Sequence, residues 1–408
     1  MFFTIVSTLL VILFLYGYKR VKSGIISDLT IIKWSVAFSI LMTLSIPGNS
    51  SDIYGYSARG GQQTLYKQNP YIQTVSEIKD HKSNPLFLNF DWKDQPTTYG
   101  PIFILTTKVI LNLSNNNLFL SLLNFKLLNL TVFLFLILFV LKMNRLNDLY
   151  LLAWNPLILI QGLWNCHNDL ISGLFIFLGI YLFKKERYFW SIFALTMSGS
   201  IKYVSLIIIP LIVFYLIKNR VRKRIFLNCI LGFCCGCLLI VIVSIDYLHF
   251  YNKVDSENLQ KIISNIALVH KSLIATVFIL SKYLVRWKGI NCDLNFLLRI
   301  IKYCVYFIFA IIYLFISVKK KSNLFYDLIL VLFLFFSFTL AKFHSWYLLN
   351  VLLLIPFLES CILKQILLSL SMSHTYAITF LDQAKILNFT TMTLLPILYV
   401  LLRSSRKK

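Results

Sequence analysis

Apolar runs of about 15–25 residues, divided by short polar turns, recur along the 408-residue chain, the pattern of a polypeptide that crosses a bilayer many times. They predict a first span over residues 1–18 and further spans at about 29–46, 118–141, 149–163, 170–183, 188–201, 203–217, 225–245, 296–318, 324–340, 347–362, 366–380 and 387–402, about thirteen in all. Several of these runs hold only about 14–16 residues, roughly 21–24 Å of helix against a hydrocarbon slab of ~30 Å, so their ends must lie within protein or beside a water-filled cavity. The expected fold is an all-α polytopic membrane protein built as a single integral membrane domain, residues 1–408, without an internal repeat.

Two segments break the pattern. Residues 47–117 contain SSDIYGYSARGG, KQNPY and DWKDQPTTYGP, dense in aromatic and turn residues, and read as a folded loop. Residues 246–295 form a second polar segment around DYLHFYNKVDSEN. The first 18 residues lack the basic n-region and small-residue cleavage site of a signal peptide and are followed by Lys19, Arg20 and Lys22. They read as a retained span with its N-terminus outside. From that start, both polar segments lie on the extracytoplasmic side. Residues 99–113 and 272–285 are apolar enough to cross, but a crossing would reverse every later turn. Each therefore reads as a membrane-lying or re-entrant helix that returns to its own face.

With 58% hydrophobic and 14% charged residues, against about 45–50% and 25% in soluble domains, a water-soluble enzyme is excluded. The mean hydropathy of +0.75 agrees. The 40 Lys and Arg residues outnumber the 16 Asp and Glu residues, for a net charge of +24. This excess asks for no nucleic-acid partner, because it is concentrated in turns between spans, as in Lys184, Lys185 and Arg187, Arg220, Arg222, Lys223 and Arg224, and Lys319, Lys320 and Lys321. There it marks cytoplasmic turns by the positive-inside rule, and the partner is the lipid bilayer. The eight cysteines form no disulfide framework. Four of them share one apolar run with Gly232 and Gly236, a small-xxx-small face suited to close helix contact.

Polar side chains on the predicted outer face carry the candidate chemistry. Asp52, where the second span ends, is placed either to act as a general base or to cap a helix. His167, Asn168 and Asp169 concentrate hydrogen-bonding groups between two short spans, as substrate ligands or as a helix start. Lys202, Lys342 and His344 fall on the same face, either converging on one phosphate or snorkelling to the interface. Arg59 is a further phosphate ligand or a simple loop cation. Tyr54, Tyr56, Tyr66, Tyr71, Trp92 and Tyr99 suit sugar stacking or an interfacial aromatic belt. Asp91 and Asp94 are potential partners of Asp52 for a divalent cation, yet position 54 is Tyr and no D-x-D begins at Asp52. No metal or other cofactor is assigned.

These residues resemble those of the polyprenol-phosphate-mannose-dependent alpha-1,6-mannosyltransferases, which belong to the GT-C superfamily of integral membrane glycosyltransferases. The signs are Asp52-x-Tyr54-x-Tyr56 with Ala58 and Gly60, Asn69-Pro70-Tyr71, Trp92 followed by Tyr99-Gly100-Pro101, Asn155-Pro156-Leu157 leading to His167-Asn168-Asp169, and His344-x-Trp346-Tyr347. The resemblance implies a GT-C-like bundle, a polyprenyl-phosphate sugar donor and an extracytoplasmic active site with Asp52 as its carboxylate.

The expected activity is inverting transfer of a hexose, by that resemblance mannose, from a polyprenyl phosphate to a glycan or lipid-linked acceptor, at the plasma membrane. Asp52 would deprotonate the acceptor, and Lys202, His344, Lys342 and Arg59 would hold the donor phosphate. The sugars would meet Tyr54, Asn69, Tyr71, Trp92, Tyr99, His167, Asn168, Asp169, Trp346 and Tyr347. One base with in-line attack predicts inversion, since a retaining double displacement needs a second carboxylate as nucleophile. The alternative is a secondary transporter or lipid-linked glycan flippase, which predicts a two-fold repeat and charges at mid-membrane depth.

Overall fold

Side chains of Ser, Asn and Asp open many of the helices by satisfying backbone N–H groups left free in the first turn. In the computed structural model, which describes residues 2–48, 50–248, 272–288, 290, 292–319, 323–376 and 389–405, Ser27, Asn117, Asn155, Asn323 and Ser272 all act this way. Helices α1 (Phe2–Lys22) and α2 (Asp28–Leu44) lead into the first polar loop. That loop folds as α3 (Asp52–Thr64), a short α4 (Pro85–Leu88) and α5 (Pro101–Leu113). A turn through Asn115 and Asn116, both in the left-handed region that Asn tolerates, passes into α6 (Leu118–Lys142).

The chain continues through α7 (Leu146–Ala153), α8 (Pro156–Ile158), α9 (Asp169–Lys184), α10 (Tyr188–Gly199), α11 (Ile208–Lys218) and α12 (Lys223–Leu248). After them come α13 (Leu273–Trp287), α14 (Leu294–Val318), α15 (Leu324–Leu334), α16 (Leu349–Leu352), α17 (Ile362–Thr375) and α18 (Leu395–Ser405). The described residues are thus all-helical. Among them, four helices are long and apolar enough to cross a membrane: Thr4–Lys22, Leu118–Lys142, Lys223–Tyr247 and Leu294–Val318. A fifth crossing arises if Pro156–Trp164 and Asp169–Lys184, bent by 116°, form one span. The stretches expected as spans at 149–163 and 347–362 are broken into short helical pieces, because Asn155-Pro156 and Pro356 interrupt the backbone hydrogen-bond ladder. Half of segment 246–295, and parts of the spans expected at 366–380 and 387–402, lie outside the described residues.

The loop of residues 47–117 has a core of its own, Ala58, Val75, Ile78, Leu86, Phe87, Phe90 and Leu111. A second cluster, Ile53, Tyr56, Phe103, Ile110, Phe125, Cys166 and Ile201, joins the loop to the helical body. Two glycines permit close backbone contacts, one within the loop and one at that junction. A Cβ on Gly60 would stand 2.6 Å from the Thr107 carbonyl oxygen, so α3 and α5 touch backbone to backbone. A Cβ on Gly100 would stand 2.1 Å from the Ser200 carbonyl oxygen. Around it, Gly100 N–H donates to Ile201 O at 3.0 Å and Ile102 N–H to Ser200 O at 3.2 Å.

Candidate active site

Asp52 is the first residue of α3, with its N–H donating to Ser50 Oγ at 3.2 Å. The other half of the site hangs on the bend between α8 and α9. Residues Leu159–Trp164 form a wide π-helical turn and Cys166 takes a left-handed φ of 58°, which leaves carbonyls without helical partners. Asn129 of α6 donates to two carbonyls of the bend, with Nδ2 2.8 Å from Gly162 O and 3.2 Å from His167 O, the latter also accepting from Leu170 N–H at 3.2 Å. Tyr56 Oη accepts from Asn168 N–H at 3.1 Å. The bend is thereby fixed to α6 on one side and α3 on the other.

This places His167 against Asp52. His167 is fully buried, and its Nδ1 lies 3.2 Å from Asp52 Oδ2 in ion-pair range without the alignment of a hydrogen bond. The Asp52 side chain keeps 15% of its surface exposed. Burial raises its pKa, but the facing His167 and the ammonium groups of Lys202 and Lys342 outweigh this and hold the carboxyl below its ordinary value. Burial lowers the pKa of Lys342, an effect opposed by Asp52 and reinforced by Lys202.

Lys202 Nζ donates to Asp169 Oδ2 at 2.6 Å and lies 4.3 Å from the centre of the Tyr347 ring. The other Asp169 oxygen accepts from Asn350 Nδ2 at 2.7 Å. Lys342 Nζ sits 3.7 Å from the centre of the Trp92 indole. The imidazoles of His167 and His344 both lie nearly parallel to the Trp346 indole, at centroid distances of 4.0 and 4.2 Å. Asp52, His167, Asp169, Lys202, Lys342, His344, Trp346 and Tyr347, scattered over nearly 300 positions of sequence, are thus linked by direct contact or by mutual electrostatic influence.

The remaining predicted residues have other surroundings. Arg59 is buried, donates to Gln62 Oε1 at 2.9 Å and to the Gln95 carbonyl, and lies over the Phe90 ring. Burial lowers its pKa to about 10. Asn69 makes an Asx turn to Tyr71 N–H and donates to Tyr247 O at the end of α12. Tyr71 Oη donates to Tyr99 O. The Tyr99 ring packs edge-on against Tyr56 and Phe103, and burial followed by the negative charge of Asp52 raises the pKa of its phenol. Tyr54 is half-buried against the cluster joining loop to body. Among the described residues no three His, Cys, Asp or Glu side chains gather as metal ligands, and Asp91 Oδ2 accepts from Ser51 Oγ at 2.6 Å.

Asn129 and Asn350 escape a reading based on outer-face motifs. Each is a solitary amide in an apolar run, LLNLTVF and YLLNVLL, and such a residue in a membrane helix must find a partner inside the protein. That signal points to both. Tyr56 carried a resemblance to a family motif, but its backbone partner, Asn168, is far away in sequence.

Residues 1–218 match the model of a family described as alpha-(1->6)-mannopyranosyltransferase, N-terminal domain. The chain belongs to this family. It is similar to alpha-(1->6)-mannopyranosyltransferase A of Mycobacterium tuberculosis, with 26% identity over 219 residues, half of this chain and 40% of that relative. The matched stretch therefore spans less than half the length of the mycobacterial mannopyranosyltransferase. Within the family region lie Asp52, the bend at His167–Asp169 and Lys202, whereas Lys342, His344, Trp346, Tyr347 and Asn350 come from beyond residue 218.

Proposed function

We propose that this chain is an inverting glycosyltransferase that moves mannose from a polyprenyl-phosphate carrier to a glycan or lipid-linked acceptor on the extracytoplasmic side of the plasma membrane. The observation that carries the proposal is Asp52, a partly exposed carboxylate held ionised by its cationic surroundings. A carboxylate in that state is ready to take the proton of an acceptor hydroxyl. As the hydroxyl oxygen bonds to the anomeric carbon, the bond from that carbon to the carrier phosphate breaks and the departing phosphate takes the electron pair. Lys202 and Lys342 are the cations placed to receive that growing negative charge, with His344 beside them.

Trp92, Trp346 and Tyr347 offer flat faces to sugar rings. His167 Nε2, Asn168 Nδ2 and Asn350 Oδ1 are buried polar atoms without a hydrogen bond. Such atoms are rare in folded proteins, and substrate hydroxyls are the partners this reading assigns to them. Helix α5 is assigned to the membrane surface, where it would shelter the site.

The test is sugar transfer by the membrane-embedded protein from a panel of polyprenyl-phosphate sugars. Transfer from polyprenyl-phosphate mannose is expected, and Asp52→Asn should lower its rate by about 10²- to 10⁴-fold. Undiminished transfer by the Asn variant would remove Asp52 as the base. Transfer from no polyprenyl-phosphate sugar would remove the donor class.

A further inference from the structure

The end of the molecule remote from Asp52 carries a second feature. Helix α9 starts at Asp169 in the site and ends at Lys184, about 24 Å away at 1.5 Å per residue. Helix α10 returns to the site at Ser200, and α11 leads away again to Lys218. At this far end Lys218 Nζ donates to the Lys319 carbonyl, and Gly232 of α12 takes the Phe189 carbonyl oxygen against its backbone. Three of the basic turns, around residues 184–187, 218–224 and 319, are therefore neighbours.

Between α11 and α12 lies an open cavity of about 550 Å³. Its walls include Leu216, Phe226 and Ile230, and its rim carries Arg220, Lys223 and Arg224. All three cations are exposed, and no acidic side chain among the described residues pairs with them. The charge is also placed against the local field. Lys223 and Arg224 occupy the first turn of α12, a 26-residue helix with no acidic residue there, where the helix dipole already contributes positive potential. Three cations and a positive helix end around an apolar hollow leave unmatched charge that only an anion offsets, and the hollow itself favours hydrocarbon.

We propose that this cavity is a binding site for an anionic glycerophospholipid, with the phosphodiester between Arg220, Lys223 and Arg224 and the upper acyl chain along Leu216, Phe226 and Ile230. Charge complementarity selects an anionic head group. The apolar walls, continuous with exposed Ile217 and Leu227, select a lipid over a soluble phosphate.

The experiment is native mass spectrometry of the full chain released from mixed micelles holding equal amounts of phosphatidylglycerol and phosphatidylcholine. Preferential retention of phosphatidylglycerol is expected, and Lys223→Gln and Arg224→Gln should each reduce it about fivefold, the share of one cation near a charged lipid surface. Single substitutions are used because removing all three charges would also weaken the signal that orients α12. Equal retention of the two lipids by the unaltered protein overturns the site. So does unaltered preference in both variants, or displacement of the lipid by inorganic phosphate or by a polyprenyl phosphate at equal concentration. The measurement needs no sugar transfer, so it stands or falls apart from the glycosyltransferase reading.

Discussion

His167 Nδ1 faces Asp52 Oδ2 at 3.2 Å across the junction between the first polar loop and the helical body. The imidazole is part of what keeps the carboxyl below its ordinary pKa. Replacing it with a neutral side chain takes away a stabilising influence on the anion, so the carboxyl must titrate at higher pH. In His167→Ala the acid limb of the transfer rate against pH should accordingly move upward, and Lys342→Ala should move it the same way by loss of a nearby cation. A pH profile with an unshifted acid limb in both variants would show that Asp52 does not govern it.

Lys202 is held by Asp169, and the proposed mechanism assigns it to the donor phosphate. Lys202→Ala should raise the Michaelis constant for the polyprenyl-phosphate donor by roughly 10- to 100-fold, the range of one hydrogen bond to a charged group. The constant for the acceptor should change little. Steady-state kinetics with each substrate varied in turn decides this, and equal effects on both would assign Lys202 a general structural role.

Asn350 touches Asp169 and, through it, fixes where Lys202 points. The proposed mechanism makes it a positioning residue. Asn350→Ala should weaken donor use in the direction of the Lys202 variant, and the double variant Asn350→Ala with Lys202→Ala should be no worse than Lys202→Ala alone. Additive losses in that cycle would show that the two residues act separately.

Asn129 closes the bend at Gly162 and His167 with two hydrogen bonds. Asn129→Leu would leave the Gly162 carbonyl unpaired, at a cost of about 1–3 kcal/mol, while the His167 carbonyl would keep only the Leu170 N–H. Thermal unfolding in detergent should show a lower midpoint for this variant. An unchanged midpoint would mean that water or a shifted neighbour replaces the amide.

The apolar runs were sufficient to place helices along the chain, because a helix in hydrocarbon needs little more than continuous apolar side chains. They were insufficient where a bend was involved. The broken stretches at 149–163 and 347–362 look continuous by hydropathy, and only the pyrrolidine rings of Pro156 and Pro356 mark the breaks. Asp52, His167 and Lys202 were legible as hydrophilic residues on one predicted face. Arg59, seven residues after Asp52, left a phosphate ligand and a simple loop cation open by position alone, and its guanidinium donates to Gln62 and the Gln95 carbonyl inside the loop. Asn350 was illegible by face alone, since its value comes from Asp169, 181 positions away.

The close seat of Gly100 on Ser200 has a mechanical consequence. Two residues beyond that seat the backbone reaches Lys202, and at the other end of the same loop stands Asp52. Any tilt of the loop is therefore transmitted, without slack from an intervening side chain, to the segment bearing the ammonium group. Asp52 and Lys202 are thus parts of one lever, and under the proposed mechanism a swing that admits a bulky acceptor would also reset the grip on the carrier lipid.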